Sequence, residues 1–149
     1  MATEEVLNAI PHRPPFLFVD EVVEQTEKSL TARRHVPETE AFFEGHYPNN
    51  PIMPGVIISE AVFQTGAILM SRLFADKIKD DPSLVPVLSK IENARFKSIV
   101  RPGDTLLITA TYKESVGSFS FMDGSVQTED GRRVMTVSFC VALASAQNK

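Results

Sequence analysis

The sequence predicts an α+β fold in which an antiparallel β-sheet wraps around one long central helix. The first observation is the apolar run over residues 56–74, which is hydrophobic on most faces, as is typical of a helix enclosed on nearly all sides. The second is the alternation of apolar and polar residues after residue 100, which is typical of half-buried strands. The 149 residues suit one domain spanning residues 1–149, because that length supports a single core.

The first 55 residues predict a short helix, two strands and an irregular segment. We expect a helix up to Ala9 with Thr3 as its N-cap, ended by the prolines that follow. Residues 16–24 and 29–36 predict two strands around a polar turn. Residues 42–55 contain three prolines that stiffen an otherwise irregular segment.

The long helix is expected to begin after Pro54, because proline suits a first helical turn, where its missing N–H would be unpaired anyway. The acidic pair before Pro82 ends this region. Residues 105–112 and 133–143 predict strands, with turns at residues 102–104 and 129–131. Alternation places one set of side chains of the last strand on a single face: Met135, Val137, Phe139, Val141 and Leu143.

Composition excludes several function classes. Fifteen basic and nineteen acidic residues give a net charge of −4, which argues against a nucleic-acid-binding protein. Cys140 is the only cysteine, so no internal disulfide forms, which suits a reducing compartment. The N-terminal residues lack the features of a signal peptide, and the apolar run over residues 56–70 is interrupted and too short to cross a bilayer. We therefore expect a cytoplasmic protein with no membrane span.

The predicted helix contains a carboxylate, Glu60, in otherwise apolar surroundings. Gln64 follows four residues later on the same face, where its amide can bond and orient Glu60. A buried, unpaired carboxylate tends to hold its proton, which is the property required of a general acid. Glu60 is therefore the candidate acid.

Two neighbouring features complete a possible acid–base site. His46 lies on the proline-rich segment before the helix, and histidine titrates near neutral pH and can act as a base. Gly55 and Val56 open the helix, where free N–H groups and the positive end of the helix dipole can bind an oxyanion.

Other interpretations of these residues remain open at this point. His46 can be an ordinary turn residue, and Glu60 can form a salt bridge to Arg13 or Arg95. A metal site could recruit His12 and His35, but no close HxxH or HxH spacing occurs. The sequence contains no G-x-S-x-G elbow, P-loop or dinucleotide fingerprint.

Four segments carry a resemblance to a known family: "IPHRPPFLFVDEV" (residues 10–22), "FFEGHYPNNPIMPGVIISEAVFQ" (42–64), "ENARFKSIVRPGD" (92–104) and the closing strands. Their order and spacing resemble the FabZ-type (3R)-hydroxyacyl-acyl-carrier-protein dehydratases of fatty acid synthesis, over nearly the whole chain. The resemblance implies a hot dog fold, the name given to a sheet wrapped around one helix. It also implies a cofactor-free loss of water from a 3-hydroxyacyl thioester on acyl carrier protein.

The resemblance also implies roles for the candidate residues. His46 would remove a C2 proton, Glu60 would protonate the C3 hydroxyl, and the backbone of Gly55 and Val56 would polarise the thioester carbonyl. The expected substrate-binding residues are Gly55, Val56, Phe63 and Gln64. The histidine and glutamate of one site would come from two subunits, so a homodimer or a trimer of dimers is expected. A glutamate at position 60, where related dehydratase–isomerases have aspartate, favours dehydration without isomerisation.

Three residues depart from the family pattern, and one of them bears on the length of the acyl chain. Asn49 replaces a glycine and Tyr47 replaces a phenylalanine. Phe63 stands where a small residue is usual, and its ring would narrow or bend the acyl tunnel.

Since acyl carrier proteins are acidic, docking needs a local basic patch. The candidates near the expected tunnel mouth are Arg95, Lys97 and Arg101, although such residues also commonly protect a strand edge.

Two alternative functions fit the same fold. In a hot dog acyl thioesterase, Glu60 would activate water toward the carbonyl instead of protonating a hydroxyl. In a non-catalytic acyl-binding subunit, His46 and Glu60 would be dispensable, yet both are present.

Overall fold

The computed structural model describes residues 1–145 and contains one antiparallel sheet around a long helix. In chain order, the helices and strands are α1 Glu4–Ala9, β1 Glu21–Gln25, β2 Ser29–His35, a 3-10 helix Ala41–Glu44, α2 Gly55–Leu73, α3 Ala75–Asp80, β3 Leu84–Phe96, β4 Thr105–Val116, β5 Phe119–Thr128 and β6 Arg133–Ser145. The strand order is β1-β2-β4-β5-β6-β3, so the long strands β4, β5 and β6 form the centre and β3 is one edge. The predicted hot dog fold is confirmed.

Strand alternation determines which side chains face α2. Ala32 pairs with Ile108, which pairs with Val126, and all three are buried on the face that packs against the helix. The residues between them are polar: Thr31 and Thr109 bond through their hydroxyls at 2.8 Å on the outer face. The sheet therefore has one apolar face for the helix and one polar face.

The helix lies close to the sheet because glycines remove side chains at the contact. A Cβ atom at Gly124 would lie 2.2 Å from Cγ1 of Val62, and one at Gly66 would lie 2.8 Å from the ring of Phe139. Any larger residue at Gly124 would push the helix away from the sheet. Close packing of this kind holds the polar side chains of α2 in fixed places.

The helix α2 is long and apolar enough to cross a membrane by length and composition, but 67% of its most apolar window is buried inside the domain. Its central residues, from Ala61 through Met70, are all buried. It is therefore the core helix that the sequence predicts. Its bounds differ by one residue from the predicted run over residues 56–74.

One predicted strand is partly wrong. The first strand begins at Glu21, so residues 16–20 are irregular rather than extended in the sheet. The reason is that the backbone of Phe16 and Phe18 bonds to the side chain of Gln64 rather than to a neighbouring strand. The N-terminal helix is confirmed, and the Thr3 hydroxyl accepts a bond from the Val6 N–H at 3.4 Å.

Candidate active site

The carboxylate of Glu60 lies on the second turn of α2 and is held by its neighbour. The Gln64 amide Nε2 donates to Glu60 Oε2 at 3.0 Å, as the four-residue spacing predicts. The Glu60 side chain is 22% exposed in the protomer, so it is half-buried rather than enclosed. Glu60 therefore lies at the boundary between the core and an open side of the domain.

Gln64 is completely buried and connects Glu60 to the segment before β1. Its Oε1 accepts from the Phe18 N–H at 2.8 Å, and its Nε2 also donates to the Phe16 carbonyl at 3.1 Å. Both amide hydrogens are used within the protein. Gln64, which the sequence suggests as a substrate-binding residue, is thus placed as a positioning residue behind Glu60.

The neighbour of Glu60 that sequence reasoning missed is His12. Its Nε2 lies 3.8 Å from Glu60 Oε2, whereas the predicted partner Arg13 donates instead to the carbonyls of Leu7, Ile10 and His12. Burial lowers the pKa of His12, opposed by the nearby charge of Glu60 and assisted by that of Arg13. The proline-flanked "PHRPP" stretch was the available signal, but nothing in it indicates proximity to a residue 48 positions later.

His46 is fixed in one orientation by the loop that carries it. Its Nδ1 lies 2.8 Å from the Ile52 carbonyl, and the Ile52 N–H donates back to the His46 carbonyl at 2.9 Å. A carbonyl oxygen only accepts, so Nδ1 carries the hydrogen and Nε2 keeps a free lone pair. The ring stacks on Tyr47 with centroids 4.2 Å apart. In the neutral ring, Nε2 is thus the nitrogen with the lone pair, as a general base requires.

The first turn of α2 has free backbone donors beneath an aromatic ring. The Ile57 and Ile58 N–H groups bond to the Pro54 carbonyl, whereas no hydrogen bond from Gly55 or Val56 N–H occurs within residues 1–145. A Cβ at Gly55 would lie 2.9 Å from Cε1 of Phe96, so only glycine leaves room for this ring. The side chain of Val56 is 75% exposed.

Phe63 lies in the core, 8% exposed, with its ring 5.1 Å from that of Phe139. It comes from the same part of α2 as Glu60 and Gln64.

His46 and Glu60 do not meet within one protomer. Across the described chain, His46 bonds to Ile52 and stacks on Tyr47, while Glu60 contacts Gln64 and His12, and no bond or ion pair joins the two. The candidate base and acid are each preorganised, but separately.

The three predicted docking residues lie in two places, with Lys97 and Arg95 on the outer face of the sheet and Arg101 apart from them. Lys97 borders an outer-face groove with Thr31 and Thr109, and Arg95 borders a second outer-face groove with Thr111. Arg101 lies elsewhere, in an open groove with three glutamates, Glu38, Glu40 and Glu44. Arg95 and Lys97 flank Phe96, which packs toward Gly55, so both point to the outer face. Arg101 lies beyond the strand, on the turn closed by Asp104.

Arg101 instead supports the loop that carries His46. Its guanidinium donates to Asn50 Oδ1 at 2.7 Å and to the Pro51 carbonyl at 3.4 Å. Its backbone N–H donates to Asp104 Oδ2 at 2.9 Å, which fixes the turn from which the side chain extends. Arg101 is therefore a structural neighbour of the candidate base.

The other histidines considered as metal ligands lie apart. His35 Nδ1 lies 3.1 Å from the Thr105 hydroxyl on β4, while His12 faces Glu60. Within residues 1–145 there is no group of three or more His, Cys, Asp or Glu side chains suited to hold a metal ion.

Comparison with known proteins gives consistent results. The family model described as a FabA-like domain matches residues 10–138. The chain is 45% identical to 3-hydroxyacyl-[acyl-carrier-protein] dehydratase FabZ of Petrotoga mobilis over 108 residues, covering 72% of this chain and 73% of that protein. It is 40% identical to the FabZ dehydratase of Nitrosospira multiformis, covering 87% of this chain and 92% of that protein.

Solved structures share the fold at low sequence identity. The dehydratase heterocomplex ApeI:P from Xenorhabdus doucetiae aligns with a TM-score of 0.78 and 15% identity, covering 94% of this chain and 91% of that chain. A hypothetical thioesterase with coenzyme A from Streptococcus pneumoniae aligns with a TM-score of 0.65 and 12% identity, covering 97% and 95%. At such identities these likenesses show the fold alone.

Proposed function

The chain belongs to the FabA-like family and, within it, to the FabZ-type hot dog dehydratases, and we propose that His46 and Glu60 carry out its reaction. The enzyme is a hydro-lyase that converts (3R)-hydroxyacyl thioesters of acyl carrier protein to trans-2-enoyl thioesters in fatty acid synthesis. The observation that carries the residue assignment is the 2.8 Å contact of His46 Nδ1 with the Ile52 carbonyl, which leaves the lone pair of the neutral ring on Nε2.

The proton at C2 of the substrate goes to His46 Nε2. The electron pair left by that proton is delocalised into the thioester carbonyl as an enolate. The Ile52 carbonyl stabilises the imidazolium that forms, because it accepts a hydrogen bond from Nδ1 at 2.8 Å. A positioned base of this kind contributes about a hundredfold to ten-thousandfold to the rate.

The hydroxyl at C3 leaves as water after it takes the proton of Glu60. The C3–O bond breaks as the enolate electrons form the C2–C3 double bond, so the products are an enoyl thioester and one water molecule. Glu60 ends as a carboxylate, which Gln64 Nε2 stabilises through its bond at 3.0 Å. Exchange of protons with solvent restores both residues.

The first turn of α2 would bind the developing enolate oxygen. The N–H groups of Gly55 and Val56 are available donors, and the helix dipole favours negative charge at this end. The ring of Phe96 lies over Gly55 and would shield this site from water.

A complete site is proposed to form between two copies of the chain, with His46 from one and Glu60 from the other. Two observations support a dimer. The two side chains have no contact within a protomer, and the edge strand β3 exposes Val87, Leu88 and Ile91 along its free side. A long edge strand with exposed apolar side chains is suited to pair with another chain. We propose a homodimer on these grounds, and a trimer of such dimers is the larger assembly that the family resemblance implies.

Carrier-protein docking is proposed for the outer-face cations. Lys97 is exposed and follows Phe96, whose ring covers Gly55, so Lys97 lies near the proposed entrance. Arg95 is exposed on the same face. Arg101 contributes less to docking in this proposal, because its guanidinium is engaged by Asn50 and surrounded by glutamates.

Chain length and location follow as further proposals. Phe63 fills the space beside Phe139 behind Glu60, so we expect it to limit how far the acyl chain extends past the catalytic carboxylate. A cytoplasmic location agrees with the single buried cysteine, Cys140, and with α2 being a core helix.

The test is a paired assay on a 3-hydroxyacyl thioester with wild-type protein and Glu60→Gln. One channel follows the ultraviolet absorbance of the conjugated enoyl thioester, and the other follows free thiol. We expect enoyl absorbance without thiol in the wild type. We expect its loss in Glu60→Gln, because an amide keeps the shape but delivers no proton.

Three other results would change the proposal. Thiol without enoyl product would identify a thioesterase and reassign Glu60. Full activity of a folded Glu60→Gln variant would exclude Glu60 as the acid. The wild type could also give neither enoyl absorbance nor free thiol with carrier-bound and carrier-free substrates of several lengths. That result would favour the non-catalytic subunit.

A further inference from the structure

Building on the proposed function, we propose that His12 is a positioning residue for Glu60, and that together with Gln64 it directs the acidic proton onto Glu60 Oε1. Gln64 Nε2 lies 3.0 Å from Oε2, and His12 Nε2 lies 3.8 Å from the same oxygen. The hydrogen bond from Gln64, with His12 as the nearest further N–H beside the same oxygen, makes Oε2 the acceptor. The hydroxyl of the protonated acid is then Oε1, which is the oxygen free to face the substrate.

The position of the His12 ring is supported by the backbone around it. The Arg13 guanidinium donates to three carbonyls, those of Leu7, Ile10 and His12, at 2.9, 2.9 and 2.6 Å. These bonds join the end of α1 to the proline-rich segment. Gln64 anchors the other end of that segment through Phe16 and Phe18. The segment that carries His12 is therefore tied at both ends, and at one end to the residue that holds Glu60.

The tautomer of His12 follows from its buried nitrogen. His12 Nδ1 is buried and has no hydrogen-bond partner in the described part of the chain. A buried N–H without an acceptor is more costly than an unoccupied acceptor lone pair, so the hydrogen belongs on Nε2. That hydrogen points toward Glu60 Oε2. The separation of 3.8 Å is longer than a hydrogen bond and is of the kind that shortens when substrate binds.

The charge of His12 also fits this role. Burial lowers its pKa, Glu60 raises it and Arg13 lowers it, and the net effect is a lowered value. The ring is therefore neutral at neutral pH. A cation at this point would favour the ionised form of Glu60 and remove the proton that the acid must deliver, whereas a neutral donor orients the carboxyl group.

The first test compares three substitutions at one position. His12→Gln keeps a neutral N–H donor, His12→Leu keeps apolar packing without a donor, and His12→Lys supplies a fixed cation. We expect kcat to fall about tenfold to a hundredfold in His12→Leu with KM within about twofold, because the acid loses its orientation. His12→Gln should recover most of the lost kcat. His12→Lys should have the lowest kcat of the three at neutral pH.

Thermal unfolding of each variant separates this role from a structural one. If His12→Leu keeps wild-type kcat, or if His12→Gln is no better than His12→Leu at equal melting temperature, His12 does not position the acid.

The second test needs no substitution at His12. The ring titration of His12 is followed by NMR in the wild type and in Glu60→Gln. Because the Glu60 carboxylate raises the pKa of His12, its removal should lower that pKa further. An unchanged His12 titration would overturn the pairing even where His12→Leu does not fold. Retained activity in Glu60→Gln would instead overturn the proposed function, so the two failures are distinct.

Discussion

The two proposed catalytic side chains are fixed by opposite means. Glu60 is on the core helix, and its partners are side chains: Gln64 from the same helix and His12 from the N-terminal segment. His46 is on a loop, and its partner is a backbone carbonyl, that of Ile52, six residues later. The acid thus depends on tertiary packing, whereas the base depends on the closure of its own loop.

The difference follows from the chemistry of the two groups. An imidazole has two inequivalent nitrogens, so one acceptor at Nδ1 is enough to make Nε2 the base. A carboxyl group has two equivalent oxygens, so donors must be placed at one of them to direct the proton to the other. More parts of the fold therefore hold Glu60 in place than hold His46.

The largest effect is expected at the base. His46→Gln removes the nitrogen that accepts the C2 proton, and kcat should fall about a hundredfold to ten-thousandfold with little change in melting temperature. The measurement is enoyl absorbance under saturating substrate together with a thermal melt. His35→Gln is the matched control, because the His35 ring contacts the Thr105 hydroxyl at the end of β2, away from the candidate site, and the variant should keep full activity. A kcat within tenfold of wild type in His46→Gln would remove His46 from the mechanism.

The next largest effect is expected at Gln64, where substitution should lower both kcat and the free energy of unfolding. Gln64→Leu leaves the Phe18 N–H and the Phe16 carbonyl without partners, which should lower the free energy of unfolding by about 2–4 kcal/mol. It also releases Glu60, so kcat should fall about tenfold to a hundredfold. Urea denaturation and steady-state kinetics measure the two effects.

The exposed Gln127 on β5 provides the control for this substitution. Gln127→Leu removes an amide of the same size from the outer face and should change neither quantity appreciably. A Gln64→Leu variant that lost stability but kept its kcat would mean that Glu60 is held well enough by its helix alone. In that case the acid, like the base, would be held by its own segment of the chain rather than by tertiary packing.

Sequence reasoning reached the parts of the site that depend on local geometry. The spacing of Glu60 and Gln64 on one helix predicts their bond, and the fold follows from an apolar helix beside alternating strands. The contact of His12 with Glu60 arises only when the segment before β1 folds onto α2, and no local pattern encodes it. The same fold-back explains why residues 16–18 are not a strand, since Gln64 bonds to the backbone of Phe16 and Phe18.

The shared face of Arg95 and Lys97, by contrast, was accessible from the sequence. Side chains alternate along a strand, so Arg95 and Lys97 had to point away from Phe96 once that ring was assigned to the helix side. Arg101 lies beyond the strand, where alternation no longer applies, and its bond to Asn50 spans 51 positions.

The smallest effects should distinguish loop support from docking. Arg101→Gln removes the bonds to Asn50 and Pro51 and should loosen the His46 loop, lowering kcat by a few-fold, about threefold to tenfold, on carrier-bound and carrier-free thioesters alike. Lys97→Gln, which removes the same charge from the outer face, should leave the carrier-free rate unchanged. It should raise KM only for the carrier-bound substrate, and less so at high salt because the attraction is screened. If Arg101→Gln slowed only the carrier-bound reaction, Arg101 would be a docking residue. The His46 loop would then be held by its own backbone bonds alone.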